Sequence, residues 1–419
     1  MPRKSRKKPA YSHHKPSGQA RVRFGGKSYY LGEYGSSESY ERYEDLIAKW
    51  LALNDDAVRF NLTVDDLVLL FLEHAKQHYR KNGQLTSEYE CLRLAFRPLV
   101  HQHGTTRVRE FSPLKLKEVR ELMIDAEYTR KSINKHVERI RRLFRWGVEN
   151  EFVPDAVHSA LCKVSGLQKN RSRAKESTRV TPVDQERVEA TLPFLNRQVK
   201  TMVKLQLLTG MRPGEVCSIR PCDVEVEKDE VWVFTPSEHK TEHHEKLRKV
   251  FIGPKGQDLL RSFLDRDPES FCFSPAEANE EQSKIRRAER KTPLTPSQKK
   301  RKRVANPKRT AGAFYTNDSY RRAVVRACEQ AFGMPDQLRS ISSKMTTEER
   351  QKLKQDASAW RAEHCWTPNQ LRHLRATWLE EQYGLEAAQV VLGHSDPRVT
   401  RIYAERNLKR AAEIMAEVG

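Results

Sequence analysis

Apolar and polar positions alternate in QARVRF, Gln19 to Phe24. Arg21 and Arg23 fall on one face, and Ala20, Val22 and Phe24 on the other, which predicts a strand. Gly25-Gly26 is a hairpin turn signal, and KSYYLGEY continues as the return strand. The period then changes to helical over about Ser37 to Leu53, with Tyr43, Leu46, Ile47 and Trp50 on the inner face. From Leu62 to about Val164 the pattern stays helical, in TVDDLVLLFLEHAKQHYRK, SEYECLRLAFRPLVHQ, PLKLKEVRELMIDA and RKSINKHVERIRRLFRWGVENEF. In the last of these, Ile133, Val137, Ile140 and Phe144 form one stripe. Lys135, Arg139 and Arg142 form another, roughly 200° away at about 100° per residue.

SGLQKNRSRAKEST, Ser165 to Thr178, carries four cations, one acid and no apolar period. It reads as a linker, either free or laid along a phosphate backbone. Helix signals return around Pro182–Leu192 and Arg197–Leu208. A hairpin follows, VWVFTPSEHK and then LRKVFIG after a polar turn. From Ser274 to about Ala311 the chain is rich in Pro, Ser, Lys and Arg, including KKRKR at Lys299–Arg303, and is expected to be a mobile basic loop. SYRRAVVRACEQAF is helical again, and a polar stretch from about Pro335 to Ala362 precedes the last motifs.

Charge changes this picture. The 419 residues suffice for two or three domains. Lys and Arg exceed Asp and Glu by 21 charges, an excess that in a globular chain points to a polyanion. The Arg21 and Arg23 face is then either the solvated side of a small cap or a surface that enters a DNA groove, and the basic lead-in MPRKSRKKPA favours the groove. The Lys135, Arg139 and Arg142 row is a solvated face or a phosphate contact, and the net charge favours contact. No run of 18 apolar residues is present, so no membrane span is expected, and the basic start lacks the apolar stretch of a secretory signal. Seven scattered cysteines fit a reducing, cytoplasmic compartment. Cys217 and Cys222 with His243 and His244 are readable as metal ligands, but their spacing is not specific.

Three segments of the region from about Arg179 onward carry candidate chemistry: LLTGMRPGEV around Arg212, TPNQLRHLRAT around Arg372, and VLGHSDPRVTRIY around His394 and Tyr403. Two arginines from distant segments can grip one phosphate, since the guanidinium fork matches the anion. A tyrosine beside that phosphate could attack it, the arginines stabilising the charge that builds up. Lys240, in the hairpin turn, is positioned in sequence to protonate a leaving oxygen.

In this order and context the motifs resemble those of the tyrosine recombinases, the phage-type integrases. TGMRPGEV is similar to the family's first arginine motif, with Arg212 as the first catalytic arginine and Glu215 as its supporting acid. HKTEHHEKLRKVFIG resembles the family's β-hairpin and its lysine, Lys240. NQLRH resembles the second motif, giving Arg372 and, in support, His373. LGHSDPRVTRIY matches the third, with His394 and, nine residues on, the nucleophile Tyr403. The family usually opens its second motif with histidine. Here Asn369 stands there, and an amide hydrogen bonds but does not accept a proton near pH 7. Lys240 and Arg372 are also unusually far apart, with the basic segment between them.

The resemblance implies a mainly α fold with small β elements (α+β). An arm-type DNA-binding domain, a three-stranded sheet plus helix, would occupy residues 1–56. A helical SAM-like core-binding domain would span 60–164, a basic linker 165–178, and a mixed α/β catalytic domain 179–419, with an insertion near 274–311. It implies cleavage and rejoining through a 3′-phosphotyrosine and a Holliday junction, integrating or excising a mobile element. No cofactor, ATP or metal is required, and the sequence has no Gly-rich phosphate loop. The implied partners are double-stranded DNA at attachment-site cores and arm sites, three further copies in a homotetramer, and DNA-bending accessory proteins. The implied setting is the bacterial nucleoid, without membrane. ERNLKRAAEIMAEV is expected as a short helix whose Leu408, Ala411, Met415 and Val418 pack on their own domain or on a neighbouring protomer. Two other readings are a type IB topoisomerase, against which the arm-like domain argues, and a DNA-binding accessory protein with an inactive site, which rests on Asn369 alone. A metal-dependent nuclease would need clustered carboxylates that none of these segments supplies.

Overall fold

The computed structural model describes residues 8–24, 27–52, 62–81, 83–178, 180–226, 231–237, 248–293, 295–297, 310–339 and 345–393. The chain separates into two compact units, residues 1–179 and 180–419. The fold is mainly helical with small sheets, an α+β architecture.

The first unit begins with a three-stranded antiparallel sheet, β1 (Ser12–His14), β2 (Gln19–Phe24) and β3 (Lys27–Glu33), in the order β1-β2-β3. Ala20 and Val22 on β2 are fully buried, while Arg23 on the alternate face is exposed. The Gly25-Gly26 turn lies outside the described residues. Helix α1 (Ser37–Ala52) covers the sheet and buries Ile47. Next come α2 (Val64–His78), a two-stranded ribbon β4 (Arg80–Lys81) and β5 (Gln84–Leu85), α3 (Ser87–His103), α4 (Pro113–Asp125), α5 (Arg130–Glu149) and α6 (Asp155–Cys162). Thr63 caps α2 through a reciprocal pair with Asp66, the arrangement that stops such a helix from unwinding at its start. The apolar stripe of α5 is core as its spacing predicts, with Ile133, Ile140 and Phe144 fully buried.

Residues 165–178 are held rather than free. Asn134 on α5 exchanges two hydrogen bonds with Leu167, 3.0 Å to its carbonyl and 2.8 Å from its amide. Arg130 bonds Glu176 at 2.7 Å, and its amide bonds the carbonyl of Lys175. Ala174 is buried. Fixing this backbone removes most of the freedom that composition alone suggests for it.

The second unit opens with α7 (Gln185–Thr191) and α8 (Arg197–Thr209), then the short α9 (Pro213–Cys217). A three-stranded antiparallel sheet follows, β6 (Val224–Glu225), β7 (Trp232–Phe234) and β8 (Val250–Ile252), with Trp232 opposite Ile252 and Phe234 opposite Val250. Beyond it lie α10 (Pro254–Leu264), α11 (Pro275–Ala288), α12 (Asn317–Ala331), α13 (Asp336–Arg339), α14 (Thr347–His364) and α15 (Pro368–Leu392). Helix α15 is broken at Gly384, whose φ of 82° and ψ of 171° are not helical.

The basic segment departs from expectation in its first half, because Ser274 to Ala288 is ordered around α11 and is not a loop. Pro275 starts that helix, Ala278 enters the core, and Glu277 and Glu281 bond Arg266 and Arg197. KKRKR at 299–303 lies outside the described residues. The polar stretch before the last motifs is also largely helical, as α13 and α14. Thr346 and Glu349 form a capping box that starts α14. Among the described residues no helix is long and apolar enough to cross a membrane.

Candidate active site

The first motif is built by local rules. Helix α8 ends at Gly210 with φ 67°, a left-handed cap that a side chain resists. A Cβ there would also press on Leu392 and Arg375, so glycine is needed for space as well. Arg212 sits in extended conformation just before α9, Pro213 takes its first turn, and Glu215 folds back. The Glu215 carboxylate accepts the Arg212 amide at 2.7 Å and the Arg212 guanidinium at 2.7 Å.

The second motif lies on α15, which Thr367 and Gln370 cap. Asn369, Arg372 and His373 share one face of its first two turns. Arg372 is fully buried and His373 nearly so. Arg372 donates from Nη1 to the Gly210 carbonyl at 2.7 Å and from Nη2 to the Leu392 carbonyl at 2.9 Å. One guanidinium therefore ties the start of the first motif, the first turns of α15 and the turn at the end of that helix. Asn369 Nδ2 lies 3.4 Å from His373 Nε2, placed to donate to it.

Sequence reasoning missed Arg248. It lies just before β8, is 5% exposed, and directs Nε at Glu215 Oε1 from 3.4 Å. Its Nη1 bonds the Lys249 carbonyl at 2.9 Å and reaches the Val391 carbonyl at 3.4 Å. The available signal was an arginine two residues before the apolar strand VFI, a place where a charge must be paired if it is buried. Burial pushes the Glu215 carboxyl up, but Arg248, the Arg212 amide and the Arg212 guanidinium outweigh it and hold the group below its ordinary value. Burial likewise pulls Arg248 down, opposed by Glu215.

The structure thus gathers Arg212, Glu215, Arg372, His373 and Asn369 within the second unit. Lys240, His394 and Tyr403 lie outside the described residues, as do His243, His244 and the segment with Leu408, Ala411, Met415 and Val418. Cys217 is buried in the core, its thiol pushed up to about 12 by burial, and Cys222 is exposed.

The sequence pattern described as the phage integrase family matches residues 182–410, more than half of the chain. The chain belongs to the phage integrase family. This is the family of tyrosine recombinases, which act in site-specific recombination of DNA. Its fold is also that of solved integrases. The Tn1549 transposon integrase in complex with a circular intermediate DNA superposes with a TM-score of 0.53, at 14% identity over 85% of this chain and 100% of that one. A second complex of that integrase gives 0.51, at 15% identity over 84% and 99%. A lambda integrase dimer bound to a core site gives 0.49, at 13% identity over 97% of both chains. No curated protein matches the sequence.

The cations expected at DNA behave differently from one another in this chain. Arg21 faces the same side of β2 as Arg23 and stands opposite Tyr30, which is 50% exposed. Lys135 on α5 is exposed. Arg139 and Arg142 are both engaged by Glu88. Arg139 bonds it through two nitrogens, at 3.0 and 2.7 Å, and Arg142 bonds Glu88 and the Tyr79 hydroxyl, each at 3.0 Å. The row of cations predicted on α5 is therefore partly an internal ion-pair cluster.

Proposed function

We propose that the chain is an active site-specific recombinase that cleaves DNA through a 3′-phosphotyrosine at Tyr403. The observation that carries this reading is the convergence made by Arg372, which joins the Arg212 turn to the turn preceding His394. Arg212 and Arg372 then neutralise the scissile phosphate, and His394 bonds a non-bridging oxygen. Neutralisation is needed because a phenol, with an ordinary pKa of about 10, is a poor nucleophile near pH 7. Lys240 protonates the leaving 5′ oxygen. A 5′-hydroxyl from a second strand reverses the linkage, and recombination proceeds through a Holliday junction in a homotetramer. The pattern match over residues 182–410 supports the assignment of these roles to the second unit.

In the same reading the N-terminal sheet binds arm sites through Arg21 and Arg23, and the helices from about 60 to 164 hold the core site, with Lys135 at phosphate. The substrate is an attachment site of a mobile element, with DNA-bending accessory proteins as further partners.

The test uses a nicked suicide duplex whose sequence the wild-type protein selects from a randomised pool, without metal or ATP. Wild type should form a covalent adduct that maps to Tyr403. Tyr403→Phe removes one oxygen and should bind the duplex with nearly unchanged affinity but form no adduct. An adduct in the variant, or linkage at another residue, removes Tyr403 from the reaction. Strand exchange with a partner site would mark recombination, and supercoil relaxation alone a topoisomerase.

A further inference from the structure

We propose that Arg248 is a positioning residue that balances Glu215, so that Arg212 keeps its charge for the scissile phosphate. The inference rests on the role given to Arg212 above.

Glu215 is 5% exposed and meets two cations, Arg212 at 2.7 Å and Arg248 at 3.4 Å, both at Oε1. With Arg212 alone, the pair would be neutral, and its guanidinium would be spent on the carboxylate. With both, a net positive charge remains. Arg212 is the more exposed of the two, with a side chain 28% exposed against 5% for Arg248, so the surplus lies where an anion can reach it. A partly buried charge is screened less than one in open water, which makes this balance matter.

Arg248 also braces the opposite wall. Its Nη1 reaches the Val391 carbonyl at the end of α15, where a cation is favoured by the helix dipole. Gly393 follows with φ 64°, and a Cβ there would overlap the guanidinium. The next residue in the chain is His394. Nη2 of Arg248 is buried and has no hydrogen-bond partner among the described residues. Arg248 therefore touches two of the three motifs from a position just before β8. A lysine has one ammonium in place of a fork and cannot reach Glu215 and the α15 terminus together.

The experiment compares Arg248→Lys, Arg248→Ala, Glu215→Gln and the Arg248→Ala/Glu215→Gln double variant in the full chain. The selected suicide duplex is used at saturation, and rates are normalised to folded protein. Arg248→Lys and Arg248→Ala should slow adduct formation at least tenfold while duplex affinity stays within threefold. The loss from Arg248→Ala should shrink when position 215 is already glutamine, because no carboxylate then needs balancing. A full rate in Arg248→Lys overturns the proposal, and so does an equal loss in both backgrounds. A weaker affinity with a salt slope reduced by about one also overturns it, because Arg248 would then contact phosphate itself. If wild type forms no adduct, the reading of Tyr403 fails, and urea unfolding of the DNA-free variants decides Arg248. Non-additive midpoint shifts support the coupling to Glu215, and additive shifts reject it.

Discussion

Arg372 donates to the carbonyl of Gly210 at 2.7 Å, joining residues separated by 162 positions in the chain. Its other terminal nitrogen takes the carbonyl of Leu392. The residue assigned to phosphate is thus also the clamp between the walls of its own site. Arg372→Ala should lower stability by about 3 kcal/mol or more, because two buried acceptors lose a charged donor. Arg372→Lys should lose less, keeping one bond of the two. Urea unfolding followed by circular dichroism measures both. An alanine variant as stable as wild type would contradict this double role.

Glu215 links pH to stability. Its carboxyl is held below its ordinary value of 4.5 in the folded chain, so the folded state favours the ionised form. The contribution is complete above that ordinary value and is lost as pH falls through the lower, folded one. The urea midpoint of wild type should therefore fall more steeply below about pH 4.5 than that of Glu215→Gln, which has no such proton to take up. Parallel curves for the two proteins would show that Glu215 is not depressed.

Asn369 tests what the pocket asks of this position. Its amide approaches His373 Nε2 at 3.4 Å, and an imidazole in its place is of similar reach. Asn369→His should form adduct at least as fast as wild type if a base is useful there. A loss of a hundredfold or more would mean that the hydrogen bond from the amide is itself required.

Lys240 is assigned to the leaving group on sequence grounds. Lys240→Ala should slow cleavage of an ordinary phosphodiester by on the order of a hundredfold or more while leaving binding intact. A 5′-bridging phosphorothiolate, whose sulfur departs without a proton, should restore the rate. Failure of that rescue would take Lys240 out of the acid role.

The cations of α5 should separate in a salt titration. Lys135→Ala should weaken duplex binding and reduce the slope of log affinity against log salt by about one, as expected for one lost phosphate contact. Arg139→Ala should instead cost stability, about 1–3 kcal/mol, by stripping the bidentate partner from Glu88. Equal salt effects from both substitutions would mean that Glu88 releases Arg139 to DNA.

What the sequence determined by itself was local. The strand Gln19–Phe24 and the apolar stripe of α5 are periodic over a few residues, and side-chain period follows directly from backbone geometry. Pro213 with Glu215 starts a helix by short-range capping, and the order Arg212, Lys240, Arg372, His394, Tyr403 reads straight off the chain. The tertiary structure alone decided partners. Nothing local distinguishes Arg139, held by Glu88 from 51 positions away, from exposed Lys135 on the same helix. Nor does composition reveal that residues 165–178 are stitched to α5, or that Ser274–Ala288 forms a docked helix. Arg248 escaped notice for the same reason. A charge is written identically whether it is solvated or buried, and only the contacts of distant segments settle whether it meets water or a carboxylate.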